Sequence, residues 1–305
     1  MGRARDGDDT GRAAAISEGR PDEGLRNDIR VALTAWATAR VLTALSFYAF
    51  AMIGDRMGGG AGRPRAFNVG LLGWDAQWYG AIAERGYEAL SSRSYGFFPL
   101  YPMVVRFGSF LLPGGIDWWL VIVSNLCAVV AAILLRRLVK LETADRPLAD
   151  LCVWCLMLFP SGFVLAWGYS EALALVLVLA SFLTARRGSW LWCIPAAFLA
   201  GMARPTSVLL VVPLALEAVV GLRTASWAER CRRFAATAAP LMGCATYLTF
   251  VWHRTNRFWL PFSIPRDLGH SAIPFPGLFE RFLSIRGALS KHKLFYVIVK
   301  EFGVN

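Results

Sequence analysis

The sequence contains few charged residues and almost no histidine. Asp, Glu, Lys and Arg together make up 17% of the 305 residues, and His occurs 3 times. A soluble domain carries about 25% charged residues, so this chain lacks the polar surface that a soluble enzyme of its length needs. The histidines are scattered and the acidic residues show no tight repeated spacing, so we expect no metal site and no bound cofactor.

Long apolar runs are abundant instead. Hydrophobic residues make up 56% of the chain, and the first run is about as long as a membrane-spanning helix. We therefore predict an all-α, polytopic bundle of transmembrane helices with about seven spans and a long first outer loop over residues 54–117. The predicted spans cover residues 31–53, 118–135, 151–167, 168–185, 190–203, 207–222 and 234–253.

Basic residues in the short connections predict the orientation. They concentrate in residues 136–150, 186–189 and 223–233, while the alternate connections carry almost none. Because short basic loops stay on the cytoplasmic side, we expect a disordered cytoplasmic tail over residues 1–30 and a transmembrane domain over 31–253. Residues 254–305 then form an outer or interfacial segment that looks short or truncated. The net charge of the chain is +11, and its basic residues flank apolar runs. This arrangement indicates a lipid bilayer as partner and not nucleic acid.

The first outer loop carries the most informative residues. From Asp75 to Arg85 the only helix-weakening residue is Gly80, and Gly86 follows as a natural terminator, so we predict a short helix there. Asp75 at its amino end is either an N-cap or, flanked by aromatic rings at a partly dry interface, a general base. The rings of Trp74, Trp78 and Tyr79 are suited either to stacking on sugars or to anchoring at the membrane surface.

A set of short motifs resembles a known family. The set consists of Trp74-Asp75-x-x-Trp78-Tyr79, Gly86-Tyr87, Phe98-Pro99-Leu100-Tyr101-Pro102, Tyr169-Ser170-Glu171 and Arg204-Pro205. In this order and spacing they resemble the bacterial relatives of PIG-V, the second mannosyltransferase of GPI synthesis, within the GT-C class of membrane glycosyltransferases. The resemblance runs from about Arg40 to Trp259.

The resemblance implies transfer of a sugar, with mannose as the expected one, from a polyprenyl-phosphate donor to a glycan or lipid-linked acceptor. It places the reaction at the outer face of a bacterial plasma membrane and implies that Asp75 is the essential acid of the first outer loop. Tyr169 and Glu171 match family positions that would contact sugar or acceptor. One departure is Thr255-Asn256-Arg257-Phe258, which stands where a Gly-Asp-Pro-like segment is expected.

Physical chemistry suggests which arginines would bind such a donor. A polyprenyl phosphate presents an anion at the outer interface, where Arg204, Arg254 and Arg257 are predicted to lie. Ordinary contact with lipid phosphates is the other interpretation of each. Arg204 is the preferred candidate, because it is the only charge in a tight turn between two predicted spans and matches a family position. Arg40, inside the first apolar run, is expected to face the bundle or to snorkel.

Two other functions are compatible with these features. A transporter or flippase of a lipid-linked substrate also needs buried charges and an interfacial arginine, and a noncatalytic assembly protein is the third possibility. The aromatic-flanked Asp75 favours the enzyme, acting by a single inverting displacement.

Overall fold

The computed structural model describes residues 21–56, 70–111 and 113–267 of the chain. This part of the chain is all-helical and contains no strand, which confirms the predicted fold class. Its α-helices are α1 (Pro21–Arg56), α2 (Asp75–Arg85), α3 (Leu100–Leu111), α4 (Gly115–Thr143), α5 (Arg146–Leu158), α6 (Glu171–Arg186), α7 (Trp190–Ala203), α8 (Val211–Val219), α9 (Trp227–Thr255) and α10 (Leu260–Asp267).

The first helix begins earlier than the sequence predicted. Residues 21–30 were expected to belong to a disordered tail, but they form the first turns of α1. The reason is Asp28, which is 2% exposed and pairs with Arg136, Arg137 and Lys140 of α4. These partners hold the segment against the bundle, and the rest of the predicted tail, residues 1–20, lies outside the described residues.

Three described helices are long and apolar enough to cross a membrane, namely α1 over Gly24–Ala49, α4 and α9. The predicted span over residues 151–167 is not one helix, because α5 ends at Leu158 and a 3₁₀ turn over Pro160–Leu165 follows. Pro160 has no N–H with which to continue the hydrogen-bond ladder of α5. The seven-span arrangement is therefore not reproduced as seven long helices.

Helices α7 and α9 cross in direct backbone contact. A Cβ atom added to Gly201 would lie 2.1 Å from the Pro240 carbonyl oxygen, and one added to Gly243 would lie 2.0 Å from that of Phe198. Only glycine permits this approach, which is the usual way for helices to pack closely in membranes. Arg204 follows directly after the end of α7, close in sequence to this contact.

A second close approach brings the segment between α1 and α4 onto the bundle. The Gly168 N–H donates to the Leu71 carbonyl at 3.1 Å, and a Cβ on Gly168 would lie 3.2 Å from the Cβ of Ala76 and 2.9 Å from that of Leu120. The segment before α6, the start of α2 and the body of α4 therefore meet at one place. Arg40 of α1 contacts the neighbouring segment from within the bundle, donating to Asn125 at 2.6 Å and to the Leu165 carbonyl at 2.9 Å, which confirms its predicted inward orientation.

The segment after α9 packs back on the segment between α2 and α3. Asn256 ends α9 in the left-handed conformation, and Ile264 of α10 lies under the 3₁₀ turn of Ser92–Gly96, with its side chain within 3.6 Å of a Cβ position on Gly96. Residues 268–305, most of the predicted outer C-terminal segment, lie outside the described residues.

Candidate active site

Helix α2 forms as predicted and presents Asp75 at its first residue. The residue before it, Trp74, has φ 53° and ψ −120°, a region that residues other than glycine rarely adopt. The capping position therefore belongs to Trp74, and no side chain caps the helix. The N-cap interpretation of Asp75 is wrong by one residue. Backbone strain of this kind concentrates at functional sites.

Asp75, Glu171 and Arg204 form a cluster of three charges, called here the acidic triad. One guanidinium nitrogen of Arg204, Nη1, pairs with Glu171 Oε1 and donates to Ser170 Oγ at 3.2 Å. The surrounding protein displaces water from the Asp75 carboxyl and raises its pKa, and the negative charge of Glu171 raises it further, while Arg204 lowers it. Asp75 nevertheless remains exposed on one side. A carboxylate of raised pKa that a ligand can reach is suited to accept a proton.

The triad contains more carboxylate than its single arginine satisfies. Glu171 Oε2 is buried and has no hydrogen-bond partner among the described residues. A buried oxygen without a partner costs free energy, and a ligand hydroxyl is the kind of donor that would satisfy it. The unpaired oxygen therefore leaves one hydrogen-bond acceptor of the triad unused.

The residues around the triad are held by hydroxyl groups. The Tyr79 hydroxyl lies 2.7 Å from Ser170 Oγ, and Ser124 Oγ of α4 donates to the Tyr169 carbonyl at 2.8 Å. The Tyr169 hydroxyl donates to the Gly73 carbonyl at 3.4 Å. These bonds tie residues 169–171 to α2, to α4 and to the turn that carries Asp75.

The aromatic side chains divide into accessible and buried ones. Trp74 is 45% exposed and its ring lies 5.0 Å from that of Trp167, so one side of it remains free for a sugar. The Trp78 ring stacks on Phe97 at 5.7 Å. Tyr79 is buried and edge-on to Phe97 and Tyr101, so it has no free face for stacking on a sugar. The hydroxyl groups of Tyr79 and Tyr169 make the hydrogen bonds described above.

Only one of the three arginines predicted to bind phosphate joins the triad. Arg254 pairs with Glu88 and lies over the Phe250 ring at 5.7 Å, within a separate aromatic cluster that includes Tyr87 and Tyr95. Arg257 is exposed in the turn that follows α9. The distinguishing property of Arg204 is its position at the end of the tightly packed helix α7.

Sequence reasoning missed two residues of the site. Ser170 bridges Tyr79 and Arg204. It lies between Tyr169 and Glu171, for which roles were predicted, but no role was predicted for Ser170 itself. Trp167 packs against both Trp74 and Tyr169, at 5.0 Å and 5.6 Å between ring centres, but its sequence position suggested only an interfacial anchor. Among the described residues, no group of three His, Cys, Asp or Glu side chains is arranged to hold a metal ion.

Comparison with known proteins gives one match. The model of a family described as Mannosyltransferase (PIG-V) matches residues 62–236, more than half of the chain. The matched segment contains all three members of the acidic triad and ends before Arg254 and Arg257. No curated protein and no solved structure matches the chain.

Proposed function

Since the chain belongs to the PIG-V family of mannosyltransferases, we propose that it transfers mannose from a polyprenyl phosphate to an acceptor outside the membrane. The family is one of glycosyltransferases, so the chain is assigned as an enzyme. The observation that carries the proposed mechanism is the acidic triad, in which an accessible carboxylate of raised pKa lies beside an arginine.

The proposed reaction is one displacement at the anomeric carbon of the donor. A lone pair of the acceptor hydroxyl forms the new carbon–oxygen bond while the bond from that carbon to the phosphate oxygen breaks. Asp75 takes the hydroxyl proton, and the polyprenyl phosphate leaves with the bonding electrons. A single displacement inverts the configuration of the sugar. Phosphate is already a good leaving group, so the reaction requires no cofactor in principle.

Arg204 is the residue that we assign to the leaving phosphate. A guanidinium has five N–H donors on two edges, and the described contacts of Arg204 are made by Nη1 alone. The remaining nitrogens are suited to the forked contact that arginine makes with phosphate. Its side chain is 32% exposed, so a donor can reach it. Glu171 and Ser170 then act as positioning residues for the guanidinium.

Trp74 and Glu171 are assigned to the sugar or the acceptor. The accessible side of Trp74 offers an apolar ring face next to the base, and the unpaired Glu171 Oε2 offers an acceptor for one hydroxyl. Burial of the partner-free oxygen makes this contact selective, because an analogue that lacks the hydroxyl leaves the oxygen unsatisfied.

The proposed location is a bacterial plasma membrane, with the amino terminus inside, about seven crossings and the triad outside. Single cysteines introduced into a cysteine-free variant at Ser92 and at Thr143 test this topology. The cysteine at Ser92 is expected to react with an impermeant thiol reagent in intact cells, and the one at Thr143 only after lysis. The reverse labelling pattern would place the triad on the wrong side for an outer-face transferase.

The activity is tested with purified protein in detergent. Labelled polyprenyl-phosphate-mannose is incubated with the protein and a membrane extract that supplies acceptors, and transfer is followed as label in products that no longer extract with the donor. A parallel sample in sealed vesicles, without acceptor, measures donor movement between leaflets. Transfer to an acceptor supports the proposal, whereas donor movement without transfer would show a flippase.

A further inference from the structure

The basic residues at the opposite end of the bundle differ in how well they are neutralised. α7 extends from Trp190 to Ala203, so its first residue lies about 20 Å from the end that carries Arg204. Near the Trp190 end, Arg186 pairs with Glu142 and Glu217, and Arg233 pairs with Glu229. Arg223 and Arg230 are exposed, and neither has an acidic partner among the ion pairs of the described residues. Their charge is therefore available to an anion.

Arg230 is held in a defined position although no acid neutralises it. Its Nε donates to the Ala225 carbonyl at 3.0 Å, and its Nη2 donates to the Arg223 carbonyl at 3.0 Å. These two bonds use the guanidinium to close the connection between α8 and α9. Because carbonyls are neutral acceptors, the positive charge remains uncompensated at that place.

An apolar groove lies beside this charge. It has a volume of about 530 Å³, lies between the end of α8 and the start of α9, and includes Arg230 in its lining. Two aromatic side chains of its wall, Trp227 and Phe234, are 78% and 76% exposed. Exposed aromatic rings next to basic residues are typical of the layer where lipid headgroups meet hydrocarbon.

We propose that this groove binds one anionic phospholipid, with an acyl chain between α8 and α9 and the charged headgroup against Arg230, which lines the groove, and toward the connection that carries Arg223. The complementarity of charge selects this occupant. A second copy of the chain would bring the same two arginines to the groove, and like charges would repel. A zwitterionic lipid fits the apolar groove but gains less from the fixed positive charge. The site lies at the end of the bundle away from the acidic triad and is independent of the proposed reaction.

Native mass spectrometry of the purified protein tests the proposal. The protein in detergent is titrated with phosphatidylglycerol or with phosphatidylcholine of the same acyl chains, and the lipid-bound fraction is measured. We expect the first phosphatidylglycerol to bind tighter than phosphatidylcholine. The double variant Arg223→Gln, Arg230→Gln is expected to weaken that binding by about fivefold for each charge removed and to leave phosphatidylcholine binding unchanged.

Three further variants separate a built site from general attraction. Arg187→Gln removes an exposed arginine that does not line the groove, and it should leave phosphatidylglycerol binding near the wild-type value. Arg230→Lys keeps the charge and should retain most of the binding, even if the connection loosens. Ala215→Trp fills the groove without changing charge and should abolish the first binding event. Three results would each overturn the proposal. The first is an equal loss of phosphatidylglycerol binding in Arg187→Gln and Arg230→Gln, and the second is equal binding of the two lipids. The third is a dimer mass in the wild type that disappears in Ala215→Trp.

Discussion

Two clusters of charge, at different places in the bundle, illustrate opposite uses of the same residue types. Around Asp28, one carboxylate faces three cations, with Arg137 Nε at 2.9 Å and Lys140 Nζ at 2.6 Å, and its side chain is 3% exposed. Around Asp75, two carboxylates share one arginine, and Asp75 stays exposed. The carboxylate of Asp28 is fully paired and shielded from solvent. The second cluster has an unpaired carboxylate oxygen on Glu171 and an acid exposed to solvent, Asp75.

The difference separates an architectural cluster from a chemical one. Asp28 is saturated by partners, so its removal leaves Arg137 and Lys140 without their anion and Arg136 with Asp150 alone, and it affects the fold. Asp75 makes no ion pair in the described structure and accepts no cap bond, so its removal takes little from the fold. Each of the following substitutions sharpens or breaks this contrast.

The largest expected effect is on stability, at the first cluster. Asp28→Asn removes one of the two carboxylates that pair with Arg136, which is 2% exposed and keeps only Asp150, and loss of one partner of a buried pair costs up to about 3 to 5 kcal/mol. We expect a lower midpoint of thermal unfolding in detergent, with transfer per folded molecule unchanged. Glu142→Gln removes an anion from the exposed pair with Arg186 and should shift the midpoint far less. Similar shifts for both variants would remove the distinction between buried and exposed clusters.

The next effect is on rate, at the second cluster. Asp75→Asn cannot accept a proton, and a positioned general base contributes about 100- to 10,000-fold in rate. We expect sugar transfer to fall by at least about 100-fold, with unchanged membrane insertion and unfolding midpoint. Loss of a charge from the first helical turn costs about 1 kcal/mol at most, and loss of repulsion from Glu171 offsets it. The control Glu84→Gln, on the same helix, should keep a transfer rate within a few-fold of the wild type. If Asp75→Asn retains most of the transfer, Asp75 is not the base, and Glu171 is the next candidate.

A smaller effect is expected at the arginine of the triad. Arg204→Lys keeps the charge but loses the forked contact with phosphate, so the apparent KM for the polyprenyl-phosphate donor should rise about tenfold. The KM for the acceptor should change less. Arg254→Lys is the matched variant, because Arg254 pairs with Glu88 outside the triad. If Arg204→Ala keeps the wild-type donor KM, Arg204 does not bind the phosphate.

The smallest effect is a shift in pH dependence. A base works only when deprotonated, so transfer is lost as the pH falls through the pKa of Asp75, and burial and Glu171 raise that pKa above the ordinary value of 3.8. Glu171→Gln removes the repelling charge and leaves the attraction of Arg204. The acidic limb of the rate profile should therefore move to lower pH than in the wild type. An unmoved limb would show that Asp75 is not the group that titrates.

Local patterns account for the elements that the sequence predicted correctly. Helix α2 follows from a stretch without strong helix breakers that ends at Gly86, where φ is 76°. Its amino end was placed correctly, but the capping role was assigned to Asp75 because nothing in the sequence shows that Trp74 adopts a positive φ. The break after α5 coincides with Pro160, yet hydropathy alone favoured a continuous run through it.

Long-range partners account for what the sequence did not predict. Residues 21–30 look too polar to fold, and their partner Arg136 lies 108 positions beyond Asp28. At the site the sequence favoured Arg204, the only charge in a tight turn between two predicted spans, over Arg254 and Arg257. It did not show that Arg204 pairs with Glu171 or that Arg254 pairs with Glu88, because both pairings depend on how the helices pack.

The sequence by itself determined that this chain is helical, membrane-embedded and related to the PIG-V mannosyltransferases, because composition and motif order are properties of the chain alone. Only the tertiary structure decided that Asp75, Glu171 and Arg204 form one cluster, since charges act on each other through distance in space. The structure also decided that Tyr79 is buried while Trp74 is accessible. Burial depends on which surfaces pack together, and the packing of α2 on α3 and α4 cannot be predicted from the sequence of any one of these helices.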